Sequence, residues 1–406
     1  MLKMLCIISN PTGWSGEGGL GGGEIRAVEI LKRWHSWGVY VETLETCPSP
    51  SMLMGADYKI HAFRPLLKGE NSVIALVNTL MLFLACLRNL LLTRERFDVV
   101  ISSNSSLSDV APAWIISRIR KIPLIIVFQI TRYASSLKGI YRLIKEEEEY
   151  GSLGLILNAC SAYVSLKLAT TASAIICLSS NIADMLQKIG FSAEKLHVNG
   201  MGINLIDIEE TEAGESLYDG VFLGRAERSK GLKDVIEAWK IIAYKKPNAK
   251  ILIIGSGSFL NDAKKLVEEK GIKDNVEFTG FISGNKKFQY LKKSKIFVSP
   301  SKVKEGWGLS IGEALACGLP VVCYDNPVFM SVFGLCKSVF SVRTGNIKEL
   351  ANMILNLLSD EEKLRRYSEV SKAFVKEYTW ESVAKLELET IKAQTLMSTQ
   401  NIFKIA

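Results

Sequence analysis

Residues Ile296-Phe-Val-Ser-Pro300-Ser-Lys-Val-Lys-Glu305-Gly-Trp-Gly-Leu-Ser310-Ile-Gly-Glu313-Ala314 join a short β-branched run to a helical pattern through a glycine-bearing loop. A helix opening near Leu309 or Ser310 aims its unpaired backbone N–H groups at that loop, where they can hold phosphate oxygens. Gly306 and Gly308 let the backbone come close to a ligand, since no Cβ intervenes. Glu313 falls one turn inside the helix, placed to accept hydrogen bonds from a pair of ribose hydroxyls, and Glu305 stands at the mouth near sugar hydroxyls. Carboxylates suit paired hydroxyls because both oxygens accept and neither donates.

Upstream, Val221-Phe-Leu-Gly224-Arg225 closes a second apolar run, and Lys230-Gly231 opens a helix after the loop Ala226 to Ser229. Two cations beside a helix N-terminus are what a departing diphosphate requires as its negative charge localises. No Asp-x-Asp pair is present to hold a bridging metal, so neither a metal nor another cofactor is expected.

Outward from these two stretches, short β-branched runs alternate with helical patterns, the mark of parallel sheets with crossover helices. Candidate strands in the first half are Met4–Ser9, Tyr40–Leu44, Val99–Ser102, Leu124–Phe128 and Ala174–Leu178. Those in the second half are Asp219–Leu223, Ala249–Ile254, Val276–Thr279, Ile296–Ser299 and Pro320–Cys323. A helix from Glu24 to Trp37 follows the glycine-rich loop Gly16 to Gly23, and Gly38 ends it. The acidic stretch Asn204 to Ser216 lacks a clear period and reads as a linker. With 406 residues the chain exceeds one ordinary core. The expected class is therefore α/β, with two doubly wound Rossmann-like domains: residues 1–205, residues 206–377, and a terminal segment 378–406 that is helical after Tyr378-Thr-Trp380.

Composition narrows the partners. The balance of 50 Lys and Arg against 42 Asp and Glu gives +8 without a long basic block, which suits anionic small ligands or an anionic membrane surface rather than nucleic acid. The eight cysteines form no C-x-x-C pair and read as buried thiols in a reducing cytoplasm. Leu2 to Ser9 is too short for a signal peptide. Val73 to Leu92 is apolar but interrupted by Asn78, Thr79, Arg88 and Asn89, so it reads as a buried or surface-docked helix. Flanked by Lys68, Arg88, Arg94 and Arg96, it is a candidate for peripheral contact with an anionic membrane on its cytoplasmic face. Gly16-Glu-Gly18-Gly-Leu-Gly21 formally matches the dinucleotide pattern G-x-G-x-x-G with Glu42 downstream, a rival reading weakened by the stretch Pro11 to Ser15 that separates it from the first strand. Trp34, Trp37, Trp114, Trp239 and Trp380 read as packing residues, whereas Trp307 lies within the ligand stretch and reads as pocket wall.

The order strand-Gly-Arg, loop, Lys-Gly, then Glu-x7-Glu resembles the family 4 glycosyltransferases of the GT-B fold. Also in family order are Gly22-Gly23-Glu24, Leu178-Ser179, Gly202-Ile203-Asn204, Ile254-Gly255-Ser-Gly257, Phe278-Thr-Gly280-Phe281 and Val298-Ser-Pro300-Ser301. The resemblance implies a retaining hexosyl transfer, without metal, from a UDP- or GDP-type sugar to a lipid-linked, polyprenol-linked or saccharide acceptor. It implies that Arg225 and Lys230 bind the diphosphate and Glu313 the ribose. Glu305, with the backbone of Gly306, Trp307, Gly308, Leu309 and Ser310, would hold the sugar and phosphates. Gly224 and Gly255 would line the donor site, Gly280 and Phe281 would border the base, and Gly22 and Gly23 would face the donor from the first domain. Two positions depart from the family pattern: Gln129 stands where many members carry a histidine, and Asn204 where Asp is usual. With His35, His61 and His197 elsewhere, no general base is assigned. A catalytically silent nucleotide-sugar-binding subunit and a GT-B phosphorylase or epimerase remain as alternatives.

Overall fold

The computed structural model describes residues 1–9, 20–64, 77, 84, 95–129, 152–212, 214–282, 284–303 and 305–405. Cys86, the glycines at 16 and 18, and all of Val73–Leu92 but Val77 and Leu84 lie outside these. The chain divides into two compact units, Met1–Gly202 together with Trp380–Ala406, and Ile203–Thr379.

The first unit carries β1 (Lys3–Ile8), β2 (Tyr40–Thr46), β3 (Lys59–Phe63), β4 (Val99–Ser102), β5 (Leu124–Phe128), β6 (Ala174–Cys177) and β7 (Leu196–Val198). These strands form one parallel sheet in the order β3-β2-β1-β4-β5-β6-β7. The second unit carries β8 (Gly220–Leu223), β9 (Ile251–Ile254), β10 (Val276–Gly280), β11 (Phe297–Ser299), β12 (Val321–Tyr324) and β13 (Val339–Val342). Its sheet is also parallel, in the order β10-β9-β8-β11-β12-β13. Both are doubly wound α/β arrangements, as the alternating pattern predicts.

Central strands such as Leu-Ile-Ile-Val-Phe of β5 and Ile-Leu-Ile-Ile of β9 are buried along their whole length, because helices cover both faces of a parallel sheet. In each sheet the winding reverses once, between β1 and β4 and between β8 and β11. At such a switch point the loops leaving the two carboxyl ends diverge, and the crevice they leave is where an α/β sheet binds its ligand.

In the first unit the helix Gly22–Ser36 buries Arg26, whose guanidinium pairs with the buried carboxylate of Glu387 and donates through Nε to the Gly200 carbonyl at 3.0 Å. Trp34 Nε1 donates to the Ala384 carbonyl at 2.8 Å. Glu387 and Ala384 belong to the helix Trp380–Ile405, which these contacts fasten to the first unit. Among the described residues no helix is long and apolar enough to cross a membrane.

Three sequence expectations are corrected. The supposed linker is partly helical: Leu205–Glu210 folds into a short helix with Ile208 buried and belongs to the second unit. Six residues are too few to show a helical period, which is why the pattern hides it. Cys160 is exposed and Cys47 half-buried rather than buried, Cys160 because it lies on the outer side of the helix Ser152–Ala169 and Cys47 because it follows the end of β2. Trp37 follows the last turn of its helix and is 44% exposed.

Candidate functional site

The second unit's switch point lies between β8 and β11, and the two motif-bearing loops leave from their carboxyl ends. After β8 come Gly224, Arg225 and the turn Arg228–Lys230, then Gly231 as the N-cap of the helix Leu232–Lys245. After β11 come Pro300 to Gly308, then the helix Leu309–Ala316, whose N-cap Gly308 offers no side-chain oxygen to the first-turn N–H groups. Ile311 N–H already donates to the Gly308 carbonyl at 2.9 Å, and among the described residues the N–H groups of Leu309 and Ser310 remain open to an anion.

The two loops are drawn tightly together. Gly231 has φ +80°, and a Cβ added there would lie 2.0 Å from the Pro300 carbonyl oxygen. Only glycine permits both that conformation and that approach. Lys302 N–H donates to the Ser229 carbonyl at 2.9 Å. The consequence is an ion pair across the crevice: Lys230 Nζ lies 2.6 Å from Glu305 Oε1, which also accepts from Ser301 Oγ at 2.6 Å. Among the described residues Arg225 pairs with Glu227 alone, at 2.5 Å, and its side chain is 64% exposed, so its guanidinium stands largely in solvent. Two cations and a row of helix N–H groups thus border one crevice, an arrangement able to take up the charge of a diphosphate.

The remaining candidates fall around it. Glu313 lies within the helix Leu309–Ala316 and is 7% exposed. Leu309 and Ser310 form the first turn of that helix, and Gly306 lies in the loop before it. Gly255 follows β9, and its N–H donates to the Gly280 carbonyl at 2.8 Å. The pairing of β10 with β9 slips between Phe278 and Gly280. Such an irregularity re-aims the chain, and Phe281 beyond it is 60% exposed, available to a ligand base. Trp307 departs from expectation: its indole is 2% exposed and packs edge-on against Phe333 at 4.9 Å and Tyr378 at 5.4 Å, so the ring serves the unit's core and not a pocket wall. An aromatic flanked by glycines reads the same in sequence whether it faces a ligand or anchors the loop from behind.

Sequence reasoning passed over two supports. Asp234, in the first turn of the helix after Gly231, accepts from Lys302 Nζ at 2.8 Å and Tyr324 OH at 2.5 Å, and so ties the second loop to the first helix. Lys287, from the helix Asn285–Lys292, lies 2.6 Å from Glu313 Oε1. Both lysines belong to lysine-rich stretches that read as solvated surface, so only the tertiary fold singles them out.

In the first unit, Gly22 and Gly23 open the helix after the glycine-rich loop. A Cβ on Gly23 would lie 1.7 Å from Gln129 Oε1, and Gln129 Nε2 donates to the Ser103 carbonyl at 2.7 Å. Gln129, Ser103 and Ser9 stand at the carboxyl ends of β5, β4 and β1. Asp109 joins two of these ends, accepting from Ser9 N–H at 2.9 Å and Ser103 Oγ at 3.2 Å. Burial, aided by the negative charge of Glu24, pushes its carboxyl up to about 7 against those hydrogen bonds. The dinucleotide rival loses its acid: Glu42 is buried within β2 and committed to His61 at 2.7 Å, Lys59 at 3.0 Å and Tyr40 at 3.1 Å, so this carboxylate is not free to bind a ribose.

Comparison with known proteins adds independent findings. Residues 20–206 match the family described as Glycosyltransferase Family 4, and residues 207–374 match Glycosyl transferases group 1. The alpha-monoglucosyldiacylglycerol synthase of Streptococcus pneumoniae is 28% identical over 198 residues, 45% of this chain and 44% of that one. The phosphatidyl-myo-inositol mannosyltransferase of Propionibacterium freudenreichii is 27% identical over 248 residues, 58% of this chain and 61% of that one. The chain thus spans about half the length of these curated relatives. Among solved structures, Anabaena HepE in complex with UDP and glucose superimposes with a TM-score of 0.72 at 18% identity, covering 97% of this chain and all of that one. Sucrose-phosphate synthase of Thermosynechococcus elongatus does so with 0.73 at 19% identity, covering 98% and 100%. At that identity the likeness is one of fold.

Proposed function

Since the chain belongs to the group 1, family 4 glycosyltransferases of the GT-B fold, we propose that it moves a sugar from a UDP- or GDP-type donor to a lipid-linked, polyprenol-linked or saccharide acceptor, with retention and without a metal. The observation that carries this reading is the crevice between β8 and β11, where Lys230 is held 2.6 Å from Glu305 beside the exposed Arg225 and an uncapped helix N-terminus. In the reaction the bond from the anomeric carbon to the diphosphate oxygen breaks, a bond to the acceptor oxygen forms on the same face, and the proton of a hydroxyl acceptor passes to the departing diphosphate oxygen. Arg225, Lys230 and the first-turn N–H groups of Leu309–Ala316 neutralise the diphosphate as it leaves, a task elsewhere given to a metal ion. Glu305 orients the sugar hydroxyls and Glu313 the ribose. No side chain is assigned as base.

The UDP bound by the Anabaena neighbour supports a UDP-type donor, and the lipids named for the two curated relatives support a lipid acceptor. A lipid acceptor places the enzyme at a cytoplasmic membrane face as a peripheral protein. The test is transfer from UDP- and GDP-sugars to diacylglycerol and polyprenyl phosphate by EDTA-treated protein, with the product anomer assigned by NMR. Retained anomeric configuration and full activity in EDTA are expected; inversion, or activity that returns only with added Mg²⁺, contradicts the mechanism.

Gln129 favours a second reading, a nucleotide-sugar-binding subunit without turnover, because its amide is committed to Ser103 and cannot accept a proton. Donor binding with no transfer, and no release of sugar phosphate, across the same acceptors would select it.

A further inference from the structure

The carboxylate assigned to the ribose does not stand alone. Lys287 is delivered by the helix that follows β10, at one edge of the second sheet, to a carboxylate on the helix that follows β11, with β9 and β8 lying between those strands. Its ammonium meets Glu313 Oε1 at 2.6 Å and lies 4.8 Å from the face of Phe288. The Lys287 side chain is 20% exposed. An ion pair so withdrawn from water recovers only part of its desolvation cost from mutual attraction. Among the described residues one N–H of the ammonium is used and two remain. Glu313 Oε2 accepts no hydrogen bond among the described residues.

A ribose diol needs more than acceptors, because each hydroxyl both donates and accepts. Glu313 can take the protons but cannot supply any. We infer that Lys287 is a specificity-determining residue: with Glu313 it forms a two-part reader of the nucleotide's ribose, the carboxylate accepting from a hydroxyl and the ammonium donating to the same hydroxyl's oxygen. The inference rests on the nucleotide-sugar reading above and deepens it. Discrimination between ribose and 2′-deoxyribose then depends on the lysine as well as the glutamate. A buried polar group left unmatched by the ligand is the usual source of such discrimination.

The test is isothermal titration of UDP, 2′-deoxy-UDP and 2′-fluoro-2′-deoxy-UDP, and of the corresponding guanosine diphosphates, into the full chain and its Lys287→Met variant. The wild type is expected to prefer the ribonucleotide about tenfold or more, the return on hydrogen bonds to a charged group. The Met variant, which matches the stem in shape, is expected to bring that preference within about threefold. The wild type alone gives a second measurement, needed if the variant does not fold: fluorine accepts but cannot donate, so the 2′-fluoro nucleotide should bind between the other two. A wild-type preference preserved in Lys287→Met overturns the inference, as does equal binding of the 2′-fluoro and 2′-deoxy nucleotides. Binding of neither UDP nor GDP by the wild type overturns the nucleotide-sugar reading itself, a separate outcome.

Discussion

Replacing Gly231 by alanine should damage both stability and turnover, and the size of each effect follows from the geometry. At φ +80° an L-residue costs about 1–2 kcal/mol relative to glycine. The added Cβ would lie 2.0 Å from the Pro300 carbonyl oxygen, where real contacts stay beyond 3.0 Å, so the loops after β8 and β11 must part by at least about 1 Å. Forced overpacking of this kind costs about 1–3 kcal/mol. The sum, about 2–5 kcal/mol, corresponds to a fall in Tm of about 4–20 °C for a unit of this size. Lys230 precedes Gly231 and Glu305 follows Pro300, so the same displacement separates the ion pair, and misplacement by about 1 Å can cost about 10² in rate. Gly345→Ala is the control: its φ is +82°, but nothing lies within 4 Å of the added Cβ, so it should lose stability without losing kcat. Differential scanning fluorimetry and the transfer rate in EDTA read both effects. Should Gly231→Ala keep a Tm within about 2 °C and a rate within about threefold of wild type, the tight apposition of the two loops is refuted.

Two further expectations concern the first unit. Asp109 carries its proton in the folded state up to about pH 7, whereas the unfolded chain releases it near 3.8; the stability this contributes is complete below 3.8 and is lost as pH rises to about 7. That interval sets a ceiling of about 4 kcal/mol. Asp109→Asn lacks the ionisation, so its Tm should gain on the wild type between pH 4 and pH 8, and parallel pH profiles of unfolding would count against the assignment. Glu387→Ala strands the buried Arg26 guanidinium and should cost about 3–5 kcal/mol by denaturant titration. Arg26→Met with Glu387→Met should recover most of that loss; equal damage from the double variant would place the effect elsewhere.

The central strands and the switch-point loops are legible in the sequence because burial on both faces demands unbroken β-branched runs, as in β5, β6, β9 and β12. The strands that escape notice are Lys59–Phe63, Leu196–Val198 and Val339–Val342, and each lies at the edge of its sheet. Paired on one side only, they are interrupted by polar residues, Lys59 and His61, His197 and Ser341, so no unbroken apolar run announces them. The site divides in the same way. Lys230, Glu305 and Glu313 are adjacent to glycines that fix their loops, a local signal. Asp234, Lys287 and Lys302 act through partners far away in sequence, and no local pattern marks a lysine that folding brings to a carboxylate 26 or 68 residues distant. Trp307 shows the converse, a local signal whose side chain turns to the core.

The account stands on Lys230 and Arg225 as the groups that take the charge of a diphosphate. The direct measurement is the affinity of UDP against uridine, and of GDP against guanosine, for the wild type and for Lys230→Ala and Arg225→Ala. The diphosphate should tighten wild-type binding by about 10² or more, and each variant should forfeit about 10-fold to 10²-fold of that gain while leaving the bare nucleoside unaffected. A diphosphate advantage that survives in both variants would contradict it.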